Sequence, residues 1–130
     1  MYTASFKYAT YALLQLHDYN FFIKYVEGMI ETYGGVEKFT KKLDDFFENG
    51  LYNHGNEPDH HAAYLYNYVP GQAWKTQKWV AEIIKVQYGP KARDLSGNED
   101  AGQMSAWYVM SSLGFYQVRY LSLPFALYQF

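Results

Sequence analysis

The sequence predicts an all-α fold made of helix–loop–helix units, and three observations carry that prediction. Apolar residues recur at helical spacing in one segment after another. Glycine, Asn-Gly or Pro-Gly punctuates the chain between those segments. Strand-like sequence is confined to a short stretch near 115–121.

Taken in order, residues 1–16 mix Tyr, Ala and Leu and can form a helix, although they hold no acidic residue and no N-cap. Residues 20–32 place Phe22, Tyr25, Val26, Met29 and Ile30 at helical spacing, and Gly34 and Gly35 stop the helix. Residues 36–48 put Val36, Phe39, Leu43, Phe46 and Phe47 on one face, with Lys and Asp opposite. Asn49 and Gly50 end that helix, and 51–61 is a polar loop. Residues 62–69 read as a helix entered from Pro58 and broken at Pro70 and Gly71. Residues 72–87 carry Trp79, Val80, Ile83, Ile84 and Val86 in helical pattern, and 89–100 form a second polar loop. The last predicted helix, 102–114, turns Met104, Trp107, Tyr108 and Leu113 inward and closes at Gly114. Hairpins of this kind stack into bundles, solenoids or α/α toroids.

Composition narrows the function classes. The 130 residues suit one domain, and 49% hydrophobic against 18% charged residues exclude intrinsic disorder. A formal charge of −2 argues against a nucleic-acid partner. The absence of Cys removes disulfides, zinc ribbons and cysteine nucleophiles. No apolar run approaches the ~18 residues of a membrane helix, and the start lacks the basic region of a signal peptide. The 15 Tyr are amphipathic, so they suit core packing, a sugar-stacking wall or a contact surface. Both ends are apolar and read as edges of a larger unit. Tyr2, Tyr8, Tyr11, Tyr120, Phe125, Tyr128 and Phe130 are expected to leave exposed aromatic surface there.

Two loops concentrate chemistry. NHGNEPDHH at 53–61 holds two carboxylates, three imidazoles and two carboxamides. A solvated turn with Asn56 and Asp59 as caps accounts for part of it, but hardly for three His. Zinc on His54, His60 and His61 is one functional reading, and calcium on the oxygens of Asn56 and Glu57 is another. SGNEDAGQ at 96–103 sets Glu99 and Asp100 between glycines just before a helix. That placement suits an N-cap, or a general base aimed into a cavity. Tyr64, Tyr66, Tyr68, Trp74 and Lys75 offer stacking rings and a hydroxyl-binding ammonium. Tyr64 and Tyr68 share a helical face that Tyr66 does not, so they are not all expected in the core. By residue type alone, Glu57 and Asp100 are the natural pair for a two-carboxylate glycosidase.

At these loops the sequence resembles glycoside hydrolase family 92, the calcium-dependent exo-acting α-mannosidases. The stretches that carry the resemblance are LYNHGNEPDHH (51–61), YLYNY (64–68), GQAWKTQ (71–77), GNEDAGQMSAWY (97–108) and LGFY (113–116). Val26 to Ile30, Gly34, Gly35 and Phe39 to Asp44 resemble the hairpin just upstream, so the likeness runs over about 19–118. The resemblance implies that residues 1–130 are a partial domain, the C-terminal part of an (α/α)6 toroid packed elsewhere against a β-sandwich domain. It implies an inverting, Ca2+-dependent α-mannosidase acting on α-mannosides of glycans, N-glycans among them. By position, Asp100 matches the general base and Asn98 a supporting residue. Asn56 and Glu57 match metal ligands, and His54, Asn56, His60, His61, Trp74 and Lys75 match substrate contacts. The family's acid lies in a Glu-Gly-Asn-x-Trp-Gln-Tyr motif. Setting its Tyr on Tyr19 puts the acid position at Leu13 and the Trp position at His17, so no carboxylate stands there. The chain is therefore expected to be inactive alone. The alternative is a non-catalytic helical module that binds sugar or another protein, with self-association through its aromatic surface. Family members are usually exported, but no export signal is recognisable here.

Overall fold

The computed structural model describes residues 19–91, 93–116 and 118 and the backbone of 126–127, with side chains from Val26 onward. The helix expected over 1–16, the aromatic residues of both ends, and the Phe22 and Tyr25 side chains lie outside the described residues. Among those described, four α-helices dominate: α1 (Tyr19–Thr32), α2 (Val36–Glu48), α3 (Ala73–Gln87) and α4 (Gln103–Ser112). Two 3₁₀ segments, η1 (Glu57–Asp59) and η2 (Ala62–Tyr68), lie between α2 and α3. A minimal antiparallel ladder pairs β1 (Phe115–Tyr116) with β2 (Ala126–Leu127), Phe115 opposite Leu127 and Tyr116 opposite Ala126.

Both predicted helix stops use the same device. At the end of α1, Gly35 N–H reaches Ile30 O (2.9 Å) and Gly34 N–H reaches Glu31 O (2.8 Å), with Gly34 at φ +87°. At the end of α2, Leu51 N–H reaches Phe46 O (3.0 Å) and Gly50 N–H reaches Phe47 O (3.2 Å), with Gly50 at φ +65°. These are Schellman closures, which need a left-handed residue that glycine supplies without steric cost.

Helix α2 buries the expected stripe of Phe39, Leu43, Phe46 and Phe47, while Val36 at its first position stays exposed. Phe47 stacks on Trp79 of α3 at 4.9 Å and 22° and meets Phe46 edge-on at 5.4 Å. In α4 the buried stripe is Met104, Trp107 and Ser111. Tyr108 flanks that stripe and is exposed, contrary to its predicted inward place. Leu113 (64% exposed) lies just past the last turn of α4, and Val86 (62% exposed) sits in the last turn of α3. Neither is covered by another described element.

The largest departure is residues 62–69. The sequence predicts an α-helix with one apolar face, but the segment is 3₁₀ and buries Ala62, Ala63, Tyr64, Leu65 and Tyr66 in succession. A segment enclosed on every side has no solvent face, so its shape is set by its neighbours rather than by a stripe. Tyr64 and Tyr66 are both core residues as a result. Their hydroxyls are paired, Tyr64 with Ser111 Oγ at 2.5 Å and Tyr66 donating to Asp44 Oδ1 at 3.0 Å. Thr76 Oγ–H donates to Ala63 O (2.9 Å) and ties η2 to α3.

Candidate active site

The two polar loops meet backbone to backbone. A Cβ on Gly55 would sit 3.1 Å from Gly97 Cα and N, and a Cβ on Gly97 would sit 2.7 Å from Gly55 Cα and overlap Gly55 O. Gly97 also has φ +70°. Only glycine on both sides allows this approach. Asn56 and Asn98 directly follow the touching glycines, so the contact joins the start of the Asn56-Glu57 step to the start of the Asn98-Glu99-Asp100 run.

Beneath the junction lies a closed hydrogen-bond chain. Tyr88 O–H donates to Met104 O (2.9 Å), so its oxygen accepts from His54 Nε2–H (2.6 Å). His54 Nδ1 then accepts from Tyr52 O–H (2.7 Å). His60 Nε2 faces the His54 carbonyl at 2.9 Å, which only accepts, so that nitrogen carries the proton. His60 Nδ1 in turn accepts from the Gln103 amide (3.1 Å), which also donates to Tyr116 OH (3.1 Å). The two imidazoles stack at 4.4 Å and 21°, with Trp107 edge-on to His54 at 4.4 Å and donating its indole N–H to His60 O (3.0 Å).

Both rings are therefore neutral and have both nitrogens spent inside the protein. Each residue is 1% exposed. The sequence places them among the substrate contacts; the fold instead sets them beneath the loop, where they brace it. The zinc reading loses its donors for the same reason, since a ligand nitrogen needs a free lone pair. Among the described residues no cluster of three or more His, Asp or Glu could hold a metal by itself. His61 is half-buried, and burial pushes it down to about 4, partly offset by a hydrogen bond to the Pro58 carbonyl.

A pH dependence follows. Burial, and then the neighbouring His60, pushes His54 down to about 3, whereas an unfolded His titrates near ~6.5. Between those values the unfolded chain binds a proton that the folded chain does not. Stability is therefore full above about pH 6.5 and is lost as the pH falls toward 3. His54 alone is expected to cost on the order of 3 kcal/mol between about pH 7 and pH 4, with His61 adding in the same direction. Urea titrations at the two pH values check this; an unchanged midpoint would refute it.

The adjacent carboxylates are sorted by geometry. Glu99 Oε1 accepts from Ser105 N–H (2.8 Å) and Oε2 from Ser105 Oγ–H (2.7 Å), bonds that hold its pKa below the usual range. Glu99 thus serves the first turn of α4, whose N-cap is Gly102 and not Asp100. The Asp100 carboxylate is exposed and has no hydrogen-bond partner among the described residues. Asp100 (φ +38°) and Ala101 (φ +55°) are consecutive non-glycine residues in the left-handed region, followed by Gly102 at φ +88°. Such strain costs roughly 1–2 kcal/mol per residue and concentrates at functional positions. Asn98 is exposed one residue after the junction.

Glu57 opens η1, and its Oε1 is buried with no hydrogen-bond partner among the described residues. Trp74 and Lys75 occupy the first turn of α3. Trp74 is 55% exposed, while Lys75 Nζ sits on both oxygens of Asp44 at 2.8 and 2.7 Å. Asp44, Gln103, Tyr52 and Tyr88 escape sequence reasoning. Gln103, Tyr52 and Asp44 lie inside stretches that carry the family resemblance, but nothing local marks their partners, and Tyr88 lies outside those stretches. No described helix is long and apolar enough to cross a membrane.

A family model for the glycosyl hydrolase family 92 catalytic domain matches residues 10–128. A curated relative, an uncharacterized secreted glycosidase of Arthroderma benhamiae, is 28% identical over 88 residues, covering 68% of this chain and 11% of the relative. Among solved structures, a family GH92 α-mannosidase from Bacteroides thetaiotaomicron in complex with mannoimidazole matches with a TM-score of 0.66 and 45% identity. That match covers 72% of this chain and 14% of the mannosidase chain. The chain thus spans a small part of the length of either relative.

Proposed function

Because this chain belongs to glycosyl hydrolase family 92, we propose that it forms one wall of an α-mannosidase site and supplies the general base. Its helical hairpins form part of an (α/α)6 toroid. The observation that carries the base is the contrast between neighbours. Glu99 is consumed by Ser105, while Asp100 is held on strained backbone with its carboxylate free. In an inverting reaction such a carboxylate takes a proton from the water that attacks the anomeric carbon. Asn98, two residues upstream, supports it.

The donor set beside it fits calcium. Glu57 brings a buried oxygen without a partner, and Asn56 and the loop carbonyls add further hard oxygens. Calcium takes about six to eight oxygens, so this chain would furnish only part of the shell. Bound there, the ion would polarise mannose hydroxyls and favour ring distortion. Asn56 and His61 then line the sugar side, Trp74 stacks on the ring, and Lys75 donates to a hydroxyl. His54 and His60 hold the loop in place. The substrate class is α-mannosides of glycans.

Calorimetry of the chain with Ca2+ and methyl α-mannoside tests this reading. Calcium-dependent sugar binding is expected, and Glu57→Gln should weaken it about tenfold or more by removing a charged ligand. A second reading, a helical interaction module, is favoured by the exposed Val86, Val109 and Leu113. Self-association with no sugar binding at any calcium concentration would decide for it.

A further inference from the structure

We infer that Asp44 is a positioning residue that aims Lys75 at a sugar hydroxyl, an inference that rests on the substrate wall proposed above. Three elements meet at this point: Asp44 from the middle of α2, Tyr66 from η2 and Lys75 from the first turn of α3. Lys75 Nζ lies 2.8 Å from Asp44 Oδ1 and 2.7 Å from Oδ2, and Tyr66 O–H donates to the same Oδ1 at 3.0 Å. An ammonium has three N–H groups. The carboxylate takes two of them, and one is left over.

Two aromatic rings also stand near the head. The ring centroids of Tyr66 and Trp74 stand 5.6 and 5.7 Å from Nζ, within reach of cation–π attraction. A cation in the first turn of a helix faces the positive end of the helix dipole. Without Asp44, therefore, the lysine would be driven away from this place and into solvent. Trp74 beside it leaves an open face for the apolar side of a sugar ring. The result is a stacking surface with a single donor fixed at its edge. The pair of Lys41 and Asp45 on the same helix is different in kind. It is exposed and spaced four residues apart along one helix.

The experiment is calorimetry of the full chain with methyl α-mannoside in saturating Ca2+. Asp44→Asn and Lys75→Met are each expected to weaken binding about tenfold, the usual consequence of losing a charge-assisted hydrogen bond. The double variant should bind no more weakly than Lys75→Met, because Asp44 acts only through the lysine. Tyr66→Phe, which keeps both charges and the ring, should weaken binding about threefold. Asp45→Asn should change nothing. If Asp44→Asn unfolds the chain, Tyr66→Phe decides, and unchanged binding there overturns the proposal. Full additivity in the double variant, or wild-type affinity in Asp44→Asn, overturns it too while leaving the substrate wall intact. Absence of any mannoside binding by the unsubstituted chain overturns the wall itself and this inference with it.

Discussion

Gly97→Ala is expected to destabilise the chain by about 3 kcal/mol or more and to abolish calcium-dependent sugar binding. Two separate costs add. Alanine at φ +70° sits in the left-handed region, at roughly 1–2 kcal/mol. Its Cβ would also lie 2.7 Å from Gly55 Cα and overlap Gly55 O, and backbone offers no rotamer with which to yield. The loops must then part, which separates Asn56 and Glu57 from Asn98 and Asp100. Gly71→Ala separates the two costs. Gly71 has φ +73° but nothing within 4 Å of the place where a methyl group would stand, so it incurs the backbone cost only. Chemical denaturation of both variants gives the comparison. Equal losses would mean that the two loops do not depend on their contact.

The chain by itself is expected to leave α-mannosides unhydrolysed. The resemblance places the family's acid position at Leu13, and a leucine cannot protonate a leaving oxygen. Loss of general-acid catalysis alone costs roughly 10²–10⁴-fold in rate. Asp100, in the base role proposed for it, would activate water on the opposite face of the sugar and would have no means of replacing that proton. An assay on an aryl α-mannoside tests this. Its leaving group needs little protonation, so any residual hydrolysis should be easiest to see there. Turnover on unactivated α-mannosides that Asp100→Asn abolishes would show that an acid is supplied from another position.

Much of the architecture is legible in the sequence because local rules govern it. The Phe39, Leu43, Phe46 and Phe47 stripe fixes which face of α2 is buried. The pairs at 34–35 and 49–50 fix where α1 and α2 stop, because a Schellman closure needs a left-handed residue and glycine supplies it. The residues of η2 mislead because an enclosed segment shows no periodicity. Tyr108 misleads because a short helix with apolar residues on several sides does not reveal which of them meets the core.

The site divides in the same way. Residue types and spacing in the two polar loops are enough to nominate Glu57, Asn56 and Asp100 and to point to the family, whose resemblance adds Asn98. They favour Asp100 but do not show what occupies Glu99. The contrast between the two depends on where Ser105 presents its N–H and hydroxyl, and on backbone angles at 100 and 101. Nor can they show that His54 and His60 face inward. Imidazoles next to carboxylates in a polar loop look available until Tyr52 in the same loop, and Tyr88 and Gln103 from elsewhere, occupy their nitrogens. By itself the sequence determined the all-α class, the helix stops and the membership of the two loops, since each follows from neighbours within a few residues. Only the tertiary structure decided which carboxylate is free, which histidines are spent and that Asp44 holds Lys75. Those are matters of hydrogen-bond partners up to 43 residues apart, and partnership at that distance is fixed by packing rather than by spacing.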